Sequence, residues 1–218
     1  MNITKNIVRS LYAMILSLSG VASAELIGSN STRIDIPDLQ TVSSSFFVAD
    51  HGLVGGLSVI MSIEHSWVGD LTFTLTHDGI SVILMARPGM PPGTIGDNSD
   101  LNFAYPITFT DGAGAPAESI GSLCPGNQYP GYPGACAPTT FKSHEALSAF
   151  DGNDKFGLWT LSISDGNADD IGFLNRWSVS QPMELPLPPA GVPEPASITL
   201  VALALAGMGA ARRRRQPK

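Results

Sequence analysis

The 218-residue chain has 43% hydrophobic and 14% charged side chains and a formal net charge of −7, but the charge is unevenly spread. Between residues 25 and 192 only Arg33, Arg87, Lys142, Lys155 and Arg176 are basic against 18 acidic residues, a net charge of −13. Nucleic acid is excluded as a partner because phosphate binding needs a basic face. Clustered carboxylates instead suit divalent cations, and the segment is long enough for one domain with its own core.

In chain order, Lys5 and Arg9 precede the apolar stretch LYAMILSLSGVA, and Ala22-Ser23-Ala24 forms a small-residue cleavage pattern. Together they predict a secretory signal peptide over residues 1–24, taken across by the Sec machinery, with the mature chain starting at Glu25. No amphipathic helical pattern follows. Short β-type runs are separated instead by Gly, Pro, Asn and Asp. In LSVIMSIEHSW, Leu57, Val59, Met61 and Ile63 share one face. In LTFTLTHDGISVILM, Leu71, Phe73 and Leu75 alternate with Thr72, Thr74 and Thr76, and Asp78-Gly79 supplies the positive φ angles of a hairpin turn. Trp159, Leu161 and Ile163, then Trp177 and Val179, repeat the pattern downstream. The expected fold is all-β, an antiparallel β-sandwich over residues 25–182.

Between the strands lie acidic turns that predict a calcium site. DGNADD sets Asp165, Asn167 and Asp169 at the alternating spacing of a calcium loop, though Asp170 and Arg176 stand where an EF-hand needs Gly and Glu. Asp97 and Asp100 in GDNSD, with Asp70 and Asp111 at strand ends, complete the candidate calcium ligands. Asp, Asn and Gly are also good turn formers, and both readings stay open. Cys124 and Cys136 bracket a Pro/Gly-rich loop in an exported chain, which reads as a disulfide contributing about 3 kcal/mol in the chain-entropy model. Tyr105, Tyr129 and Tyr132 are loop aromatics able to stack on sugar rings.

A Pro-rich linker over residues 183–191 leads to the tail. There Val192, Pro193, Glu194 and Pro195 precede an apolar run over 196–211, about 24 Å long as a helix, and then Arg212, Arg213, Arg214 and Arg215. The arginines keep the C-terminus on the cytoplasmic face. Residues 192–218 resemble the PEP-CTERM sorting signal of Gram-negative exopolysaccharide producers. The resemblance implies an inner-membrane-anchored intermediate with a C-terminal membrane helix, cleavage by an exosortase, and delivery to the cell surface or extracellular matrix.

The block GLWTLSISDGNADDIGFLNRWSVS, with Gly157, Trp159, Leu161, Ile163, Asp165, Gly172, Leu174 and Trp177 in register, resembles the end of the P/Homo B domain of proprotein convertases. His65, Gly69-Asp70-Leu71 and the Asp78-Gly79 turn match that family's other hallmark. The resemblance implies an eight-stranded jelly roll that normally follows and stabilises a subtilisin-like protease domain, although only about ten residues separate the signal peptide from the start of the match. The chain has His51, His65, His77 and His144 but no Gly-x-Ser-x-Gly elbow and no His-Glu-x-x-His. The sequence therefore predicts no catalysis, with hydrogen-bonding roles for His65 and His77 and a structural or binding role beside exopolysaccharide. The alternative is an accessory or remnant domain of a secreted subtilisin-like serine endopeptidase system, binding a protease in trans.

Overall fold

The computed structural model describes residues 24–90, 96–120 and 139–183. All of the signal peptide but Ala24, with Cys124, Cys136, Tyr129, Tyr132 and the sorting tail, lies outside the described residues. Ten strands are formed within them: β1 Ala24–Asn30, β2 Ile34–Ile36, β3 Thr41–Val48, β4 Ser58–His65, β5 Leu71–His77, β6 Ile80–Ala86, β7 Ile107–Thr110, β8 Thr140–Phe141, β9 Gly157–Asp165 and β10 Gly172–Pro182. They make two sheets, a six-stranded one ordered β1-β10-β4-β7-β8 with β2 beside β10, and a four-stranded one ordered β3-β9-β5-β6.

The strands form where the sequence alternates. In β5 every second residue from Leu71 to His77 is buried, and β9 repeats this from Trp159 to Asp165. Asp78 and Gly79 adopt φ of 47° and 77°, the left-handed pair that a two-residue hairpin needs, and join β5 to β6. The all-β sandwich is as expected, with two corrections. The described residues form ten strands rather than about eight, and the β7–β8 pair is parallel. The surplus elements β2 and β8 span three and two residues, too short to carry a period-two signal. β1 begins at Ala24, one residue before the expected mature start, and its alternation is broken by a register shift between Leu26 and Gly28. A side chain at Gly28 would run into the Phe46 ring.

Between the sheets lies one apolar core holding Trp159, Trp177, Phe73, Phe109, Phe141 and Phe150. Each indole also spends its polar handle. Trp177 Nε1 in β10 donates to Ser44 Oγ in β3 at 2.9 Å, across the sandwich. Trp159 Nε1 donates to the Lys155 carbonyl at 3.0 Å, and its ring stacks on His77 at 3.9 Å and 4°.

The outward face of the four-stranded sheet has an unusual composition. Its rungs run Thr41–Ser164–Thr72, Ser43–Ser162–Thr74 and Ser45–Thr160–Thr76 across β3, β9 and β5, and Ser81 of β6 extends the last. The next rung, Phe47–Leu158, is apolar and exposed. Cross-strand pairs of this kind stabilise a sheet by a few tenths of a kcal/mol to about 1 kcal/mol each.

Trp159→Ala opens a cavity in the fully buried core and is expected to lower unfolding stability by about 3–5 kcal/mol in urea. Phe47→Ala, at a 61% exposed position, should stay within about 0.5 kcal/mol of wild type in the same experiment.

Candidate functional site

One end of the sandwich gathers most of the acidic turns. β4 ends at His65, a three-ten turn spans Val68–Asp70, and β5 starts at Leu71, which lies opposite Asp165 at the end of β9. The Gly166 N–H donates to the Asp70 carbonyl at 2.9 Å. Segment 96–101 is laced to the same end: Val68 N–H donates to the Ser99 carbonyl and Gly69 N–H to the Asp97 carbonyl, both at 2.9 Å, while His65 and Leu101 exchange backbone bonds. A side chain at Gly69 would strike the backbone of Gly96 and Asp97, so glycine at this position is a packing requirement.

The deepest contact is between His65 and Asp165, whose side chains are fully buried. His65 Nε2 donates to Asp165 Oδ2 at 3.0 Å, and Asp165 Oδ1 accepts from the Asn167 N–H at 3.0 Å. His65 Nδ1 lies 3.1 Å from the Trp67 N–H and 3.0 Å from the Trp67 carbonyl, so it accepts from the first when the ring is neutral and donates to the second when it is protonated. Beside this pair, Asp70 is 1% exposed. Its Oδ1 is 3.4 Å from Arg87 Nη2, and Arg87 Nε donates to the Gly69 carbonyl at 3.1 Å. Asp70 Oδ2 is buried with no hydrogen-bond partner among the described residues. Burial, then the neighbouring Asp165 charge, pushes the Asp70 carboxyl above its ordinary value, against the pull of Arg87.

The pole therefore unites Asp70, Asp97, Asp100, Asp165, Asn167 and Asp169 of the expected calcium ligands. Asp97 Oδ1 accepts from the Ser99 N–H at 2.9 Å, and the Asp169 N–H, in a residue at φ 81°, donates to Asp38 Oδ2 at 3.1 Å. Burial, then Asp170, pushes the Asp100 carboxyl up. Asp111 is not part of the pole but caps a three-ten turn at Leu147–Phe150, accepting from the N–H groups of Leu147 and Ser148 at 2.8 Å. Burial pushes its carboxyl up, but these donors and the Ser143 hydroxyl outweigh burial and hold it below its ordinary value. Sequence reasoning missed Asp38, whose Oδ1 is a second buried oxygen without a described partner, and Asp170, which accepts from Ser66 Oγ at 2.8 Å. The adjacent acids in DGNADD were the available signal for Asp170; nothing local marks Asp38.

Among the described residues, no three His, Asp or Glu side chains close on one point as a cation cage. The four histidines all bond carboxylates or backbone carbonyls. His77 faces the Leu158 and Asp154 carbonyls at 3.1 and 2.8 Å. His51 meets Asp154 and His144 meets Glu118, both at 2.6 Å. The His51 contact, followed by the Gly52 and Phe156 N–H groups, holds the Asp154 carboxyl down at about 2. A separate open groove of about 320 Å3 on the six-stranded sheet is lined by Leu26, Ile60, Ser62 and Arg176 among others.

Comparison with known proteins gives three findings. Residues 191–215 match the PEP-CTERM protein-sorting motif. A calcium-dependent protease of a Nostoc species is 26% identical over 172 residues, covering 79% of this chain but 20% of the relative's length. The chain thus spans about a fifth of the curated relative it matches. Two crystal structures of the serine protease of Aeromonas sobria, one of them a complex with a chaperone, superpose with TM-scores of 0.41 and 0.42 at 15% identity, covering 79% of this chain and 29% of theirs.

Asp70 supplies a test of the pole's electrostatics. Its raised folded pKa means that the native state holds this proton more tightly than the unfolded chain, so its stabilising contribution is present below the ordinary 3.8 and is lost as pH rises through the folded value. Asp70→Asn is therefore expected to gain stability relative to wild type between pH 4 and pH 7, read as the difference between two urea unfolding series. Asp165→Ala leaves the buried His65 without its acceptor and should cost about 3–5 kcal/mol at neutral pH.

Proposed function

We propose that the chain is a non-catalytic β-sandwich module of the P/Homo B type, exported and held at the inner membrane by its tail, then released by an exosortase to the cell surface or matrix. The observation that carries this reading is the sorting motif at residues 191–215. The test is processing in a host that has an exosortase. The sandwich should leave the membrane with the mass of its tail missing, and Pro193→Ala with Glu194→Ala should keep it membrane-bound at full precursor mass. A wild-type chain that stays anchored and uncut overturns the sorting part of the proposal.

Calcium at the acidic pole is the second part. The buried, unpartnered Asp70 Oδ2 and the adjacent Asp165 carboxylate fit a hard cation that takes oxygen ligands. Asp70 and Asp165 would hold it, and its charge would relieve the repulsion between them. Millimolar calcium added to the metal-stripped, full-length chain should raise the unfolding midpoint, because a ligand bound only by the native state stabilises it by about 2.7 kcal/mol at a hundred times its Kd. The rise should be absent with magnesium and absent in Asp70→Asn. An unchanged midpoint overturns the calcium site and leaves Asp165 with its structural bond to His65.

A second reading has one observation in its favour: the relative from Nostoc is a protease, and its matched part is a fifth of its length. In that reading the sandwich binds a secreted subtilisin-like protease in trans as an accessory domain. Co-purification of such a protease with the released sandwich favours it over a matrix role.

A further inference from the structure

The outward face of the four-stranded sheet carries no charged side chain on its strand positions, in a domain whose net charge between residues 25 and 192 is −13. Its hydroxyls sit on a lattice of about 4.8 Å across strands and about 6.8 Å along them. Neighbours within the rungs already bond one another: Thr41 to Ser164 at 3.1 Å, Ser43 to Ser162 at 3.0 Å and Ser45 to Thr160 at 2.9 Å. These bonds fix hydroxyl rotors that would otherwise turn freely. Each hydroxyl has one donor and two acceptor positions, so a bonded rung still offers acceptors along its length. A partner that meets this array finds its hydrogen-bonding groups already oriented and loses less entropy in binding. The last rung changes character: Phe47 and Leu158 are 61% and 55% exposed, and Phe156 packs edge-on against Phe47 at 5.3 Å. The face is thus an oriented hydroxyl grid over β3, β9 and β5, edged in β6 by Ile83 and Ala86 opposite Thr74 and Thr72, and ending in an apolar shelf whose Phe156 also stacks on His51.

We propose that this face binds a neutral polysaccharide laid flat across the strands, an inference that rests on the reading of the chain as a non-catalytic surface module and supplies its ligand class and binding face. Sugar hydroxyls match the grid, and the C–H faces of sugar rings match the Phe47–Leu158 shelf. Charge selects among polymers. The domain's negative charge repels an acidic polysaccharide, and a cationic chain would be drawn to the acidic pole instead of to a face with no charge to pair. An uncharged glycan meets neither penalty, and its binding should be nearly independent of salt.

The probe is microcrystalline cellulose, a neutral β-glucan, incubated with the full-length chain in lipid nanodiscs and read by co-sedimentation. Binding is expected, with less than twofold change between 0.05 and about 1 M salt. Thr74→Lys, which places a charge at the centre of the grid, should weaken it at least tenfold, and Phe47→Ala severalfold. Arg176→Ala, in the groove of the other sheet, should leave it unchanged. If Thr74→Lys loses its near-ultraviolet dichroism, Ser43→Lys at an exposed grid position takes its place. Failure to sediment with cellulose overturns the proposal, as does sedimentation indifferent to Thr74→Lys and Ser43→Lys. A concentration-dependent dimer abolished by those variants, without glycan binding, gives the face to a second copy and also overturns it. Purified chain bypasses sorting, so cellulose binding by a chain that no exosortase cuts would fail the surface reading while leaving the face intact.

Discussion

The bond between His65 and Asp165 joins the two sheets: His65 ends β4 in one and Asp165 ends β9 in the other. Both side chains are wholly out of water, so each depends on the other for a partner, and a mismatch of the sheets at this end would strand two buried polar groups. That penalty fixes the relative position of β4 and β9. It therefore also fixes Leu71, which pairs with Asp165, and Asp70 before it. At mid-sandwich, Trp177 and Ser44 make a second polar link between the sheets, so the register is specified at two levels. An apolar core alone is less exacting, because hydrophobic contacts are non-directional.

The same constraint explains why acidic residues accumulate where they do. With β4 and β9 ending and β5 starting together, the segments that join them must turn in one small volume. Asp and Asn are suited to such turns because their side chains bond nearby backbone N–H groups, as Asp97, Asp165 and Asn30 do. Turn chemistry thus brings the carboxylates together before any ligand is considered. What goes beyond turn chemistry is Asp70, whose carboxylate is buried with one oxygen unpartnered, a cost that no backbone turn requires.

The sandwich was legible because its central strands alternate cleanly. Leu71, Phe73 and Leu75, like Trp159, Leu161 and Ile163, are all fully buried, and the Asp78-Gly79 turn has the expected dihedrals. β2 and β8 were not legible, because a strand of two or three residues is defined by the backbone it meets and not by its own pattern. Asp70, Asp97, Asp100 and Asp165 were each legible as acids of turns or strand ends, but no single segment of sequence discloses the backbone bonds from residues 96–101 and Gly166 that bring them to one pole. Asp111 also follows a strand, yet its partners Leu147 and Ser148 lie far along the chain, and only the tertiary fold reveals that it serves as a cap. Asp38 escaped for the same reason, since its contact with Asp169 spans 131 residues.

The hydroxyl face was visible in part, as the threonines of LTFTLTH, but a half-buried strand read alone does not disclose its neighbours. The grid exists because β9 presents Ser and Thr opposite those threonines and β3 presents Ser and Thr opposite β9. A strand needs only polar outward residues to stay soluble, and Lys or Glu would serve that need equally well. The charges lie off its strand positions, leaving the four-stranded face with donors, acceptors, the Phe47–Leu158 rung and, in β6, Ile83 and Ala86. Solubility accounts for the polarity of that face and not for its neutrality. An uncharged, hydroxyl-rich partner would account for both.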